Sequence, residues 1–300
     1  MYGDWQLIYE GTDLRFGTRE HDVEFVKLTV SGDVYRTDDS QLPRQDGTAF
    51  GQDFIESGQL AIAVKIDFTT YPAGPDECAR LAWAARQAFE RGWRADPVRR
   101  TPGAVCELVM GGEQAIEGRP RGVSWNDDHQ GVGLITGSAL FVPAGTGVFD
   151  MSDGGGWHTQ TVGLVPPQTG GLKAPLKAPL STSIESSRAR PFTVAGDVPA
   201  WPIVTVKGPL GAGAQVELTS RWRMPLNRSL GAFDVVEIDT RPGHRGMTLN
   251  GRAANVLTSG AVQLADAAMA PGPQELALRG TSLEGTATAS VRWRTTKESI

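Results

Sequence analysis

The sequence predicts a mainly β protein: an N-terminal β-sandwich or sheet domain with one long helix, followed by a C-terminal β-sandwich of the galectin-like or carbohydrate-module-like kind. Three observations carry the β assignment. Thirty-seven Gly and 19 Pro among 300 residues punctuate short apolar runs, the spacing of strands and turns rather than of helices. Residues 59–68 alternate apolar and polar side chains with a period of two. Only residues 75–91 carry a long apolar stripe at helical spacing. A chain of this length is about twice the usual domain size, which predicts two domains, and 40% hydrophobic residues suffice to fill their cores.

A first strand is expected over 23–30. Residues 42–51, from Leu42-Pro43-Arg44-Gln45-Asp46-Gly47 to Gly51, form a turn-rich loop too long for a tight hairpin. The next strand places Leu60, Ile62, Val64, Ile66 and Phe68 on one face, as a half-buried sheet requires. The helix then opens with Pro75, suited to a first helical position, and with Asp76 and Glu77, which complement the helix dipole. Cys78, Leu81, Ala82, Ala85 and Phe89 share one stripe, and Gly92 is expected to end the helix. Trp83 lies off that stripe, either packed on a loop or available to another subunit. Strands are expected over 104–110 and 132–142, with a polar turn at 125–131, and the first domain closes near residue 145.

Residues 146–182 read as an arm or linker. Gly154-Gly155-Gly156, Pro166-Pro167 and the tandem Lys173-Ala174-Pro175-Leu176, Lys177-Ala178-Pro179-Leu180 favour an extended path. From 183 to 300 short strands return, expected at 203–207, 214–218, 233–239, 247–250, 274–279 and 286–294. The last of these alternates Ala287, Ala289, Val291 and Trp293 with polar residues.

Several function classes are disfavoured. A net charge of −5 does not suit a nucleic-acid binder, which needs a basic field. No apolar run reaches membrane-spanning length, and the N-terminus lacks the pattern of a signal peptide. Two cysteines and four histidines form no metal-ligand spacing, and Cys78 and Cys106 fall on expected core faces. No nucleophile elbow, phosphate loop or zinc-protease motif occurs. Asp127-Asp128-His129 reads as a solvated turn, and Asp150-Met151-Ser152-Asp153-Gly154 lacks the later acidic ligand of a calcium loop. No catalytic, cofactor or metal residue is therefore expected, and the protein reads as a non-enzyme.

The order of parts resembles the distal tail protein (Dit) family of long-tailed, non-contractile bacteriophages, also called minor tail proteins. The loop with Pro43-Arg44-Gln45-Asp46-Gly47 leads into the alternating strand; the helix, the paired strands and a second sandwich follow. Val235-Val236-Glu237-Ile238-Asp239-Thr240, Arg241-Pro242-Gly243-His244-Arg245 and Ser290-Val291-Arg292-Trp293-Arg294 resemble tail proteins of actinobacterial phages. The resemblance implies a ring, usually six-fold, at the distal end of the tail. Its implied partners are other copies of itself, the major tail tube protein, the tail-tip hub, the tape measure protein and receptor-binding proteins. It implies no cofactor and no catalysis.

Under that reading Trp83, Trp93, Trp157, Lys173 and Lys177 are the candidate interface residues. Residues 1–145 hold 22 acidic and 14 basic groups and the remainder 12 and 15, so an acidic ring bore is expected if the first domain lines it. Two alternatives stand beside it. A lectin-like module would stack sugars on Trp201, Trp222 or Trp293, and a tail-borne cell-wall hydrolase would need a carboxylate pair that nothing in the sequence selects.

Overall fold

The computed structural model describes residues 3–31, 34–42, 46–56, 58–145, 147–152, 156–164, 189–282 and 286–298. The chain divides into two compact units, Met1–Gly155 with Lys297–Ile300, and Gly156–Thr296.

The first unit opens with a hairpin, β1 (Trp5–Tyr9) and β2 (Thr12–Phe16), whose turn uses Gly11 at φ 75°, a left-handed conformation that glycine adopts freely. β3 (Glu24–Val30) follows. The chain then leaves the sheet through β4 (Val34–Arg36), β5 (Ser40–Gln41), β6 (Thr48–Ala49) and β7 (Phe54–Glu56), and returns as β8 (Leu60–Asp67). Two helices come next, α1 (Pro75–Arg94) and α2 (Asp96–Arg100). β9 (Cys106–Met110), β10 (Gln114–Asn126), β11 (Leu134–Pro143) and β12 (Val148–Asp150) complete the run. The main sheet has the order β2-β1-β9-β10-β11-β8-β3, with every neighbouring pair antiparallel.

β8 behaves as its alternation demands: Leu60, Ile62, Val64 and Ile66 are buried while their neighbours are half-buried. α1 lays Ala82, Ala85, Phe89 and Trp93 on this face, joining Ile62, Ile66, Ile135 and Phe141 in one core. Phe89 and Trp93 stack with ring centres 5.5 Å apart, and Phe16 meets both edge-on.

The helix does not stop at Gly92. It runs to Arg94 and ends where Ala95 turns left-handed at φ 46°. Gly92 serves packing instead. A Cβ there would lie 3.0 and 3.1 Å from the Leu14 δ carbons, and the Tyr9 hydroxyl donates to the Gly92 carbonyl at 2.8 Å. β10 was not among the expected strands, and its Gly118, Pro120 and Gly122 are residues that usually interrupt one. Gly118 pairs regularly with Pro143 and Cys106, and the register shifts at a bulge between Pro120 and Val123 that takes in Gly122.

The second unit is a two-sheet sandwich. In chain order its strands are β13 (Trp157–Gly163), β14 (Ala189–Val194), β15 (Ile203–Lys207), β16 (Gln215–Leu218), β17 (Trp222–Pro225), β18 (Val235–Asp239), β19 (Gly246–Leu249), β20 (Arg252–Ala253), β21 (Gly272–Arg279) and β22 (Thr288–Arg294). One sheet runs β13-β22-β15-β18-β19-β20 and the other β14-β21-β16-β17. Val204, Val206, Ile238 and Val291 from the first interleave with Val216, Leu218, Met224 and Leu278 from the second in one buried core. A last short strand, β23 (Thr296–Lys297), brings Lys297 back to the first unit.

Two strands, β12 and β13, lie inside the stretch expected as an arm. β13 escaped the sequence reading because a polar strand, Trp157-His158-Thr159-Gln160-Thr161, follows directly on a glycine run. It sits on a sheet rim, where one-sided hydrogen bonding to β22 suffices without an apolar face. Lys173 and Lys177 lie outside the described residues.

Candidate interaction surface

In the first unit the main sheet ends in β2 on one side and β3 on the other. The two outer strands meet at one point, where Gly17, just after β2, bridges Glu24 at the start of β3 in parallel: Gly17 N–H donates to the Val23 carbonyl and Phe25 N–H to the Gly17 carbonyl, both at 2.9 Å. Among the described residues no further strand pairs with the rest of either edge, which leaves backbone donors and acceptors open there. Val26 and Val30 on β3 are at least half exposed. The excursion between β3 and β8 forms two short ribbons, β4 with β7 and β5 with β6, anchored where Ser31 N–H donates to the Gln59 carbonyl at 3.0 Å and Gln59 N–H to the Ser31 hydroxyl at 2.6 Å. It carries Phe50 at 86% exposure, with Tyr35, Phe54 and Leu42 also exposed.

The outer face of α1 is organised by Arg86. Its guanidinium lies 4.9 Å from the Trp83 ring centre and 5.6 Å from that of Trp125. Nε donates to Glu90 at 3.0 Å and Nη1 to Asp127 at 2.6 Å. The Asp127-Asp128-His129 turn is thereby pinned to the helix by a charge-assisted bond. Trp83 is 41% exposed and open to a partner, whereas Trp93 is 1% exposed. Trp93 is therefore no interface residue: it lies beneath α1, walled by Phe16, Phe89 and Phe141.

The chemistry-bearing side chains of this unit are tied into the scaffold. Burial pushes the Cys106 thiol up to about 11 against the opposing pull of Arg119 and Arg99. Cys78 is buried and its Sγ faces the Ala73 carbonyl at 3.6 Å. Among the described residues no three His, Cys, Asp or Glu side chains gather as a metal set. A cleft of about 240 Å³ lies between residues 20–23 and α1. His21 on its wall lies 3.3 Å from the Asp4 carboxylate.

In the second unit the sequence candidates separate clearly. Trp222 and Trp293 are 6% and 4% exposed and belong to the sandwich core, so neither ring can lie against a sugar. Trp293 instead packs on Phe192 and His158. Trp201 is half-buried with the Arg245 guanidinium 5.4 Å from its ring centre. Trp157, half-buried on β13, is surrounded by Arg292, Arg294 and Arg241 at 4.5, 5.1 and 5.7 Å, the geometry of cation–π contact. Arg241 also forks onto Asp239, with Nη2 2.7 Å from Oδ2. The sequence held half of this signal: Arg292 and Arg294 stand two apart on a strand and so share a face. Arg241 joins them only through the fold. The surfaces of both units thus offer strand edges, exposed aromatic rings and guanidinium groups, which are protein-binding chemistry.

No family model matches the chain, and no curated protein matches it in sequence. Solved structures do match. The Dit (gp 19.1) protein of phage SPP1, described as a hub adsorption apparatus in phages infecting Gram-positive hosts, aligns over 97% of this chain and 98% of its own at 9% identity with a TM-score of 0.58. Chains of the phage P2 baseplate in its activated conformation, with Ca and with Sr, each align over 99% of both chains at 10% identity with a TM-score of 0.51. The chain has the fold of phage Dit hub and baseplate proteins.

Proposed function

We propose that this chain is a structural virion protein that forms a ring at the distal end of a phage tail. In that position it joins the tail tube to the tail-tip hub and organises the host-recognition proteins. The observation that carries the reading is fold likeness to the SPP1 Dit hub protein over nearly the whole of both chains. The first unit supplies a physical route to the ring. It presents unpaired strand edges beyond the Gly17–Glu24 bridge together with exposed aromatic and charged patches, and copies joined through two different surfaces make a heterologous contact, which closes into a ring when the rotation per copy divides a full turn. Six copies are the expected number. The partners are other copies of this chain, the tube protein, the hub, the tape measure protein and receptor-binding proteins; the role requires no cofactor or catalytic step. Negative-stain imaging with native mass spectrometry of the purified chain tests the reading. Closed rings of one mass are expected, and a monomer at every concentration, with and without tube protein, overturns it.

A further inference from the structure

The excursion between β3 and β8 is a structure without a core of its own. Among its described residues none joins the buried core of the first unit. β4–β7 and β5–β6 are two-stranded ribbons, which are marginal in water unless something covers them. Their aromatic side chains nevertheless face outward, Phe50 most of all. Local contacts hold the shape. Gly51 N–H donates to the Asp39 carboxylate at 2.9 Å, the Gly51 backbone sits against that of Asp38 so closely that a Cβ has no room, and Arg36 lies over the Phe54 ring at 5.1 Å. Residues 31–59 contain six acidic and two basic side chains. The excursion is a shaped, acidic, aromatic arm.

The same unit carries the complementary surface elsewhere. Residues 91–100 hold four arginines and one aspartate, and Arg119 and Arg121 on β10 adjoin them. Arg99 Nη2 donates to the Pro120 carbonyl at 3.1 Å, and Arg119 donates to the Ala104 and Thr101 carbonyls at 2.7 and 2.8 Å, so α2 and β10 form one basic surface. Among the described residues none of Arg91, Arg94, Arg99, Arg100, Arg119 and Arg121 pairs with a carboxylate. The last turns of α1 rest on β1 and β2 through Tyr9 and Leu14. The basic surface therefore lies around the C-terminal end of α1, whereas the arm is the excursion that leaves the sheet after Val30 and returns to it at Leu60.

We propose that the acidic aromatic arm, through its described residues 34–42 and 46–56, docks on the arginine surface of α1, α2 and β10 of a second copy of this chain. The arm and the arginine surface are different patches of the same unit, which makes the contact head-to-tail. The charges select the partner and its register, and the aromatic rings supply the area that becomes buried. The proposal rests on the ring reading and specifies the contact between neighbours.

Two double variants of the full chain test it, Asp38→Arg with Asp53→Arg on the arm and Arg94→Glu with Arg100→Glu on the surface. None of these four side chains has a hydrogen bond or ion pair among the described residues, which spares the fold. Sedimentation velocity is expected to show assembly weakened roughly tenfold or more in each double variant and recovered in the fourfold variant. Intact assembly in both double variants, or no recovery in the fourfold one, overturns the proposal.

Cross-linking gives a second reading. Asp53→Cys and Arg100→Cys chains, mixed and treated with a bis-maleimide, should join one to the other. Rings that form without this cross-link overturn the arm contact and leave the ring reading standing. A wild-type chain that never forms rings removes both. Rings intact in the arm variant but unable to bind tube protein overturn the second copy as occupant and assign the arm to the tube.

Discussion

Lys297 Nζ lies 2.7 Å from Asp150 Oδ2, joining residues separated by the whole of the second unit in sequence. The contact ties the returning C-terminal segment to the end of β12, so the first unit is built from two separate stretches of chain. A truncation at residue 190, well beyond the expected close of the first domain near residue 145, removes this segment of the first unit as well.

That pair carries a pH signature. The hydrogen bond from Lys297, then those from the Ser152 hydroxyl and backbone N–H, hold the Asp150 carboxyl well below the usual carboxylate range. A carboxyl whose folded value lies below its unfolded one contributes stability that is fully present above about pH 4 and lost as pH falls toward the folded value. Lys297 is 43% exposed, so the ion pair contributes only about 0.5 kcal/mol after solvent screening. Urea unfolding of wild type and Asp150→Asn should differ at pH 6 and converge toward pH 2. An equal difference at both pH values would contradict the assignment.

Two glycines four residues apart on β10 should respond oppositely to alanine. At Gly118 a Cβ would collide with the Val142 carbonyl, the Phe141 ring and, at 2.8 Å, the Pro143 Cα; at Gly122 nothing lies within 4 Å. Overpacking of this kind costs about 1–3 kcal/mol. Gly118→Ala should lower the unfolding midpoint clearly while Gly122→Ala holds or slightly raises it. Equal effects would place β10 in a different register against β11.

The same strand shows how much was readable beforehand. β8 could be placed within a residue because one face is buried and the other is not, so its period-two pattern is written in the side chains. β10 satisfies its backbone equally well, but Gly118, Pro120 and Gly122 are there for close approach and a bulge, and in one dimension those residues mean a turn. β15 and β22 were legible for the reason β8 was. The surface features were harder. The acidic arm looks like a loop until its ribbons are seen to lack a core, and the basic surface brings together two segments about twenty residues apart. Trp222 and Trp293 could not be told from surface rings by sequence because a sandwich core and a sugar platform use the same side chain.

The correction at Trp93 is measurable by contrast with Trp83, ten residues earlier on the same helix. Trp93 fills the core against Phe89, whereas Trp83 lies outside under Arg86. Removing a large buried ring costs about 3–5 kcal/mol, while an exposed cation–π pair is worth about 0.5–1 kcal/mol. Trp93→Ala should unfold at much lower urea than wild type and Trp83→Ala close to it. If Trp83 meets a neighbouring copy, its variant should weaken ring assembly without that loss of stability; comparable destabilisation by both variants would contradict the burial of one and exposure of the other.

The cysteines offer a last check on the core. A thiolate is the reactive form, and burial that lifts the Cys106 thiol to about 11 keeps it protonated at pH 8 as well as sheltered. Cys78 is also buried, on the inward face of α1, whose first turn is closed by Cys78 N–H donating to the Gly74 carbonyl at 3.1 Å. A thiol reagent such as DTNB should therefore label neither site in the native protein at pH 8 and both in denaturant. Raising the pH toward 10 should speed native labelling of Cys106 only modestly, because access through the sheet, as well as ionisation, limits it. Rapid native labelling of either cysteine would mean that α1 does not cover the sheet as described, and it would also disqualify the maleimide test of the arm until both native thiols had been replaced.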